Sequence, residues 1–165
     1  MKLFMFFMAA FLFHPVHTDL KEIRATYKEA AHDKNRIEDF YTLLADVTKK
    51  SDPALVAYKG AAIALKARYA KTVKKKREGF LEGVSYIEHA IETAPEALEP
   101  RFVRLGIQEN SPKILKYKDN IEEDKNFILT HFENIDSEDL KNHLKNYISQ
   151  SSLFSAEEKT VISGQ

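Results

Sequence analysis

Two carboxylates stand where a helical reading of the sequence calls for apolar side chains. Asp124 lies three residues after Ile121 and four before Ile128, and Glu88 lies four after Val84 and three before Ile91. A lone carboxylate on a core-facing stripe is costly to bury, so each demands a partner. Arg101 and Arg104 are the nearest cations to Asp124 along the chain, and Tyr58 and Lys59 are placed to serve Glu88 from the preceding helix. The spacing therefore predicts that Asp124 is at least partly buried and paired with Arg101 or Arg104. One reading is an ion-pair network that orders the helices. The other is a groove in which Arg101, Arg104, Gln108, Tyr117 and Asp124 recognise a peptide terminus or a carboxylate.

Catalytic patterns are missing from the sequence. Of the six histidines, His32, His89, His131 and His143 follow the N-terminal segment, and no two of these are three or four apart. No His-Glu-x-x-His pair and no glycine-rich phosphate loop occurs. Gly83-Val84-Ser85-Tyr86-Ile87 lacks the second glycine of a nucleophile elbow and reads as mid-helix. Glu122-Glu123-Asp124 splays around a helix, whereas a glycosidase needs two carboxylates facing across a cleft. With no cysteine, disulfides, thiolate metal sites and cysteine nucleophiles are excluded. We therefore expect no catalytic residue, no metal site and no cofactor.

Charge is distributed in blocks. Pro53 to Arg77 holds eight basic residues and no acid, whereas Glu78 to Glu99 holds six acids and no lysine or arginine. Folded back on each other, these segments are expected to align opposite charges, each exposed pair being worth about 0.2–1 kcal/mol. The sharper expectation is that Lys71, Lys74, Lys75, Lys76 and Arg77 form a positive knob suited to peripheral contact with an anionic membrane surface or partner. Nucleic acid is not the expected partner. Lysine plus arginine and aspartate plus glutamate each total 25, and no aromatic residue interleaves the cluster.

The positioning elements are helices. The 165 residues are 44% hydrophobic and 30% charged, enough for one modest core. Lys2 followed by the apolar run Leu3–Phe13 has the form of a secretory signal peptide over residues 1–18. As a helix that run spans only about 16 Å, too short to cross a bilayer. Residues 19–165 then read as a single α-helical domain of an exported protein, periplasmic or extracellular.

Its stripes are Leu20, Ile23 and Tyr27; Ile37, Phe40, Tyr41, Leu44 and Val47; and Leu55, Ala62, Leu65, Tyr69 and Val73. After a basic link, Thr72 to Arg77, a fourth helix carries Phe80, Val84, Ile87 and Ile91 and stops at Pro95. Glu99-Pro100 opens a fifth, and Ser111-Pro112 a sixth with Ile114, Tyr117, Ile121, Ile128 and Phe132. Ser137 starts a seventh, and Ser155 to Glu158 has capping-box spacing for an eighth. The fold class is all-α: antiparallel hairpins stacked as a short right-handed array or a bundle.

Gly83, Ile87, Ala90 and Pro95 carry a resemblance to the second helix of a tetratricopeptide repeat. That helix places a small, a large apolar and a small residue before a terminal proline. Tyr58-Lys59-Gly60-Ala61, Glu99 to Arg104 and Tyr117 to Lys125 also resemble an uncharacterised group of small secreted bacterial helical proteins. The first resemblance implies a concave binding surface, and the second implies no chemistry. The expected function is a non-enzymatic, exported helical protein that binds or scaffolds a macromolecular partner, a protein or peptide, in the cell envelope. The alternative is a small hydrolase or ligand-binding protein with a site assembled from separate helices around His89 or His131. A structural envelope subunit would instead expose a large apolar patch.

Overall fold

Oxygen-bearing caps start most of the helices. The computed structural model describes residues 19–164, so the expected signal segment lies outside the described residues. Asp19 accepts the Lys21 N–H and starts α1, Leu20–His32. A 3-10 turn leads into α2, Ile37–Leu43. Asp52 accepts the Ala54 N–H ahead of Pro53 and opens α3, Pro53–Ala67. Thr72 caps α4, Val73–Thr93, which ends before Pro95. The remaining helices are α5, Leu98–Asn110; α6, Ile121–His131; α7, Glu138–Gln150; and α8, Ala156–Gly164. Ser155 and Glu158 close the expected capping box: the Ser155 N–H donates to Glu158 Oε2 at 2.7 Å, and the Glu158 N–H donates to Ser155 Oγ at 3.2 Å. Among the described residues there is no strand.

α3 is the central helix. It is buried nearly all round, packing on α1, α2, α4 and α5. Its alanines suit this position, because small side chains let four neighbours approach. Against α4 the fit is closest of all. A Cβ built on Gly60 would lie 2.5 Å from the Gly83 carbonyl oxygen, and one on Gly83 would lie 2.5 Å from the Gly60 carbonyl oxygen. Tyr27, Phe40, Tyr58 and Phe102 form an aromatic cluster between α1, α2, α3 and α5. One apolar core runs from Ile23 of α1 to Ile162 of α8.

Several expectations are corrected. The expected charge alignment of α3 and α4 does not form: among the described residues no ion pair joins them, and the glycine seam holds them together. Thr72 to Arg77 is no link, because α4 begins at Val73. Tyr69 and Val73 leave the α3 stripe and are 47% and 82% exposed. Ser111-Pro112 opens only a 3-10 turn, Lys113–Leu115, with Ser111 ending α5. Lys116 then takes a left-handed conformation, φ 49°, which no helix continues through, so α6 starts at Ile121 and Ile114 is 87% exposed.

Candidate functional site

α5 presents charged side chains to its neighbours on both sides. Arg104 grips Asp124 of α6 with a two-pronged pair, Nε to Oδ2 and Nη2 to Oδ1, both 2.7 Å. Its Nη1 donates to Glu88 Oε2 of α4 at 2.8 Å. Asp124 is 0% exposed, and the Tyr117 hydroxyl donates to the other Glu88 oxygen. Arg101 adds Glu123 at 2.7 Å and Asp124 at 3.3 Å, with its guanidinium over the Phe127 ring. Burial works against the Arg104 charge, but the hydrogen bond and charge of Asp124, with those of Glu88, raise its pKa overall. Burial, then the bond to Glu88, raises that of Tyr117.

The expected residues therefore meet, but as a closed network. Each guanidinium nitrogen of Arg104 is committed to a carboxylate of the chain, leaving no free fork for a peptide terminus. Gln108 reaches only Asn120, at 3.4 Å. Tyr58 and Lys59 do not serve Glu88. The Tyr58 hydroxyl donates to Glu99 at 2.8 Å, and Lys59 Nζ donates to the Leu44 carbonyl at 3.0 Å.

Two further knots were missed by the sequence reading. Arg24 of α1 pairs through two nitrogens with Glu99, at 2.7 and 2.8 Å, and through the third with Asp139 of α7 at 3.0 Å. Glu109 accepts from the Tyr147 hydroxyl at 2.7 Å and from Ser151 and Ser152. Arg24 falls on the α1 stripe, four after Leu20 and three before Tyr27, so the argument that found Asp124 applies to it too.

The open site lies at the turn between α3 and α4. A groove of about 630 Å³ is floored by Ala64, Phe80 and Ile107 and walled by Pro112, Ile114 and Leu115. Arg68, Lys76 and Arg77 stand on its rim. Lys71, Lys74 and Lys75 are exposed beside it, Lys74 facing Glu78 at 3.8 Å. The chain has six arginines. Arg24, Arg36, Arg101 and Arg104 are all ion-paired, whereas Arg68 and Arg77, both on this rim, make no ion pair among the described residues. The first turn of α4 contains no acid. Cations there oppose the helix dipole, whose N-terminal end attracts negative charge. Val73, 82% exposed, also lines the groove, whose mouth is thus both apolar and basic.

A smaller cavity of about 220 Å³ lies between α1, α5 and α7, with His143 and Glu109 in its lining. The His143 ring packs edge-on against Phe102, and its Nε2 is buried without a hydrogen-bond partner. Burial, then the charge of Arg24, lowers its pKa to about 4, with Asp139 opposing and Lys28 assisting. The folded chain thus holds His143 neutral, while the unfolded chain protonates it near pH 6.5. Between these values the unfolded state binds more protons, so acidification removes stability, about 3 kcal/mol once pH has fallen through both values. Denaturation midpoints at pH 7 and 4.5 should fall further for the wild type than for His143→Leu; equal falls would clear His143 of the effect. His89 and His131 lie elsewhere, bonded to the Lys49 and Phe127 carbonyls.

No protein-family model, curated protein or solved structure matches the chain.

Among the described residues no cluster of histidine, aspartate or glutamate is arranged to hold a metal ion, and no helix is long and apolar enough to cross a membrane.

Proposed function

We propose that the chain is an exported, non-enzymatic helical binding protein of the cell envelope, working at an anionic membrane surface through the groove at the α3–α4 turn. The observation that carries this reading is the convergence of unpaired cations and exposed apolar side chains on one mouth. Arg68, Lys76 and Arg77 stand beside Val73, with Ile114 on the facing wall. Anionic headgroups attract such a cluster with about 1 kcal/mol per basic residue, and flanking apolar side chains enter the headgroup boundary. The seam of Gly60 against Gly83 supports reading α3 and α4 as a tetratricopeptide-like hairpin, since that motif also relies on small residues between paired helices.

Vesicle sedimentation tests the docking. The full chain should be retained by vesicles containing phosphatidylglycerol and released by salt. Vesicles of phosphatidylcholine alone should not retain it. Replacing Lys75, Lys76 and Arg77 with glutamine should weaken retention about 100-fold, three charges at about 1 kcal/mol each. Equal retention on both vesicle types would sink the reading.

A further inference from the structure

We propose that the α3–α4 groove is a binding site for a single long-chain fatty acid, with the acyl chain along the apolar floor and the carboxylate on Arg68, Lys76 and Arg77. The inference rests on the groove being the working surface, and it adds the occupant.

The volume, about 630 Å³, lies within the roughly 300–1,000 Å³ typical of small-molecule pockets. The floor and far wall are apolar. Of the neutral polar residues in the lining, Asn110 donates its amide to the Gly106 carbonyl at 2.9 Å, and Ser111 donates to the Gln108 carbonyl at 3.0 Å. An extended peptide laid here would find few partners for its own N–H and C=O groups, and leaving them unpaired is costly. An acyl chain has no such groups to satisfy.

The charge is arranged for one anion. The cations in the lining come from the end of α3 and the start of α4, whereas the lining residues from the turn after α5, Pro112, Ile114 and Leu115, are uncharged, and the exposed Lys113 and Lys116 beside them are not part of the lining. An occupant with one charged end and a long apolar body matches this asymmetry. A carboxylate at the start of α4 would also relieve mutual repulsion among Lys74, Lys75, Lys76 and Arg77, and it would meet the positive end of the helix dipole. A guanidinium fork holds a carboxylate through two parallel hydrogen bonds, and Arg68 and Arg77 are the arginines not already so engaged.

Isothermal titration of the full chain with myristate, below its micelle concentration, tests this. One myristate should bind per chain, and tetradecanol should bind at least about tenfold more weakly, the discrimination a charge-assisted hydrogen bond supplies. Arg68→Gln with Arg77→Gln should erase that preference. Val73→Glu with Ile114→Glu changes two side chains that are 82% and 87% exposed, so the fold should persist by circular dichroism while myristate binding is lost. The proposal is overturned if myristate does not bind, if acid and alcohol bind equally, or if binding survives the paired glutamates. It is also overturned if an acidic amphipathic peptide occupies the groove and myristate does not. Retention on anionic vesicles without myristate binding would defeat this inference alone. Myristate binding without vesicle retention would defeat only the membrane docking.

Discussion

Asp124→Ala should lower the unfolding free energy by about 3–5 kcal/mol, the cost of stranding one member of a buried ion pair. The stranded group is Arg104, 4% exposed, which would keep Glu88 as its hydrogen-bond partner and Glu123 at 3.9 Å. Asp124→Asn should cost nearly as much, because the amide cannot accept two guanidinium bonds as an anion. Glu123→Ala supplies the contrast on the same helix. Its side chain is 56% exposed, so its loss should cost about 0–1 kcal/mol. Chemical denaturation measures all three, and a double-mutant cycle of Asp124→Ala with Arg104→Met should be strongly non-additive. Should Asp124→Ala unfold at the wild-type midpoint, the network is not holding α6 to α5.

The second large effect concerns sign. Alanine is a better helix former than glycine by about 1 kcal/mol, so propensity alone makes Gly60→Ala and Gly83→Ala stabilising. The packing argues the reverse. At each position the new Cβ would stand 2.5 Å from a backbone carbonyl oxygen of the facing helix, and backbone cannot swing aside as a side chain can. Overpacking of this kind costs about 1–3 kcal/mol, enough to overturn the propensity gain. Both variants should therefore be destabilised, and the double variant should part α3 from α4. Gly164→Ala is the control, because nothing lies within 4 Å of the methyl group it would add. A higher melting temperature for Gly83→Ala would show that the helices do not approach this closely.

Much of this was legible wherever a signal stays within one helix. Asp124 declared its burial through the stripe Ile121–Ile128, and its partner lies on the preceding helix, 20 residues back along the chain. Ser137 and Ser155 declared helix starts through local capping. The Ser111-Pro112 signal failed because the following Lys116 adopts a left-handed backbone, a conformation lysine rarely reveals in sequence. Glu99 was harder, since its partners Arg24 and Tyr58 lie 75 and 41 residues away. The groove was out of reach for a related reason. Its floor and rim come from α3, α4, α5 and the turn after α5, and only the lysine-rich rim is contiguous.

The three knots on α5 also bear on how the chain reaches this arrangement. The α3–α4 seam joins two consecutive helices across a short turn, so closing it sacrifices little chain freedom. The ties of Arg104 span 16 and 20 residues, whereas those of Glu99 and Glu109 span 38 to 75 residues and close much larger loops. Loop-closure entropy therefore falls mainly on joining α5 to α1 and α7. The glycine hairpin gives the search a compact surface to condense on. On that count the glycine hairpin is expected to form before the ties of Glu99 and Glu109.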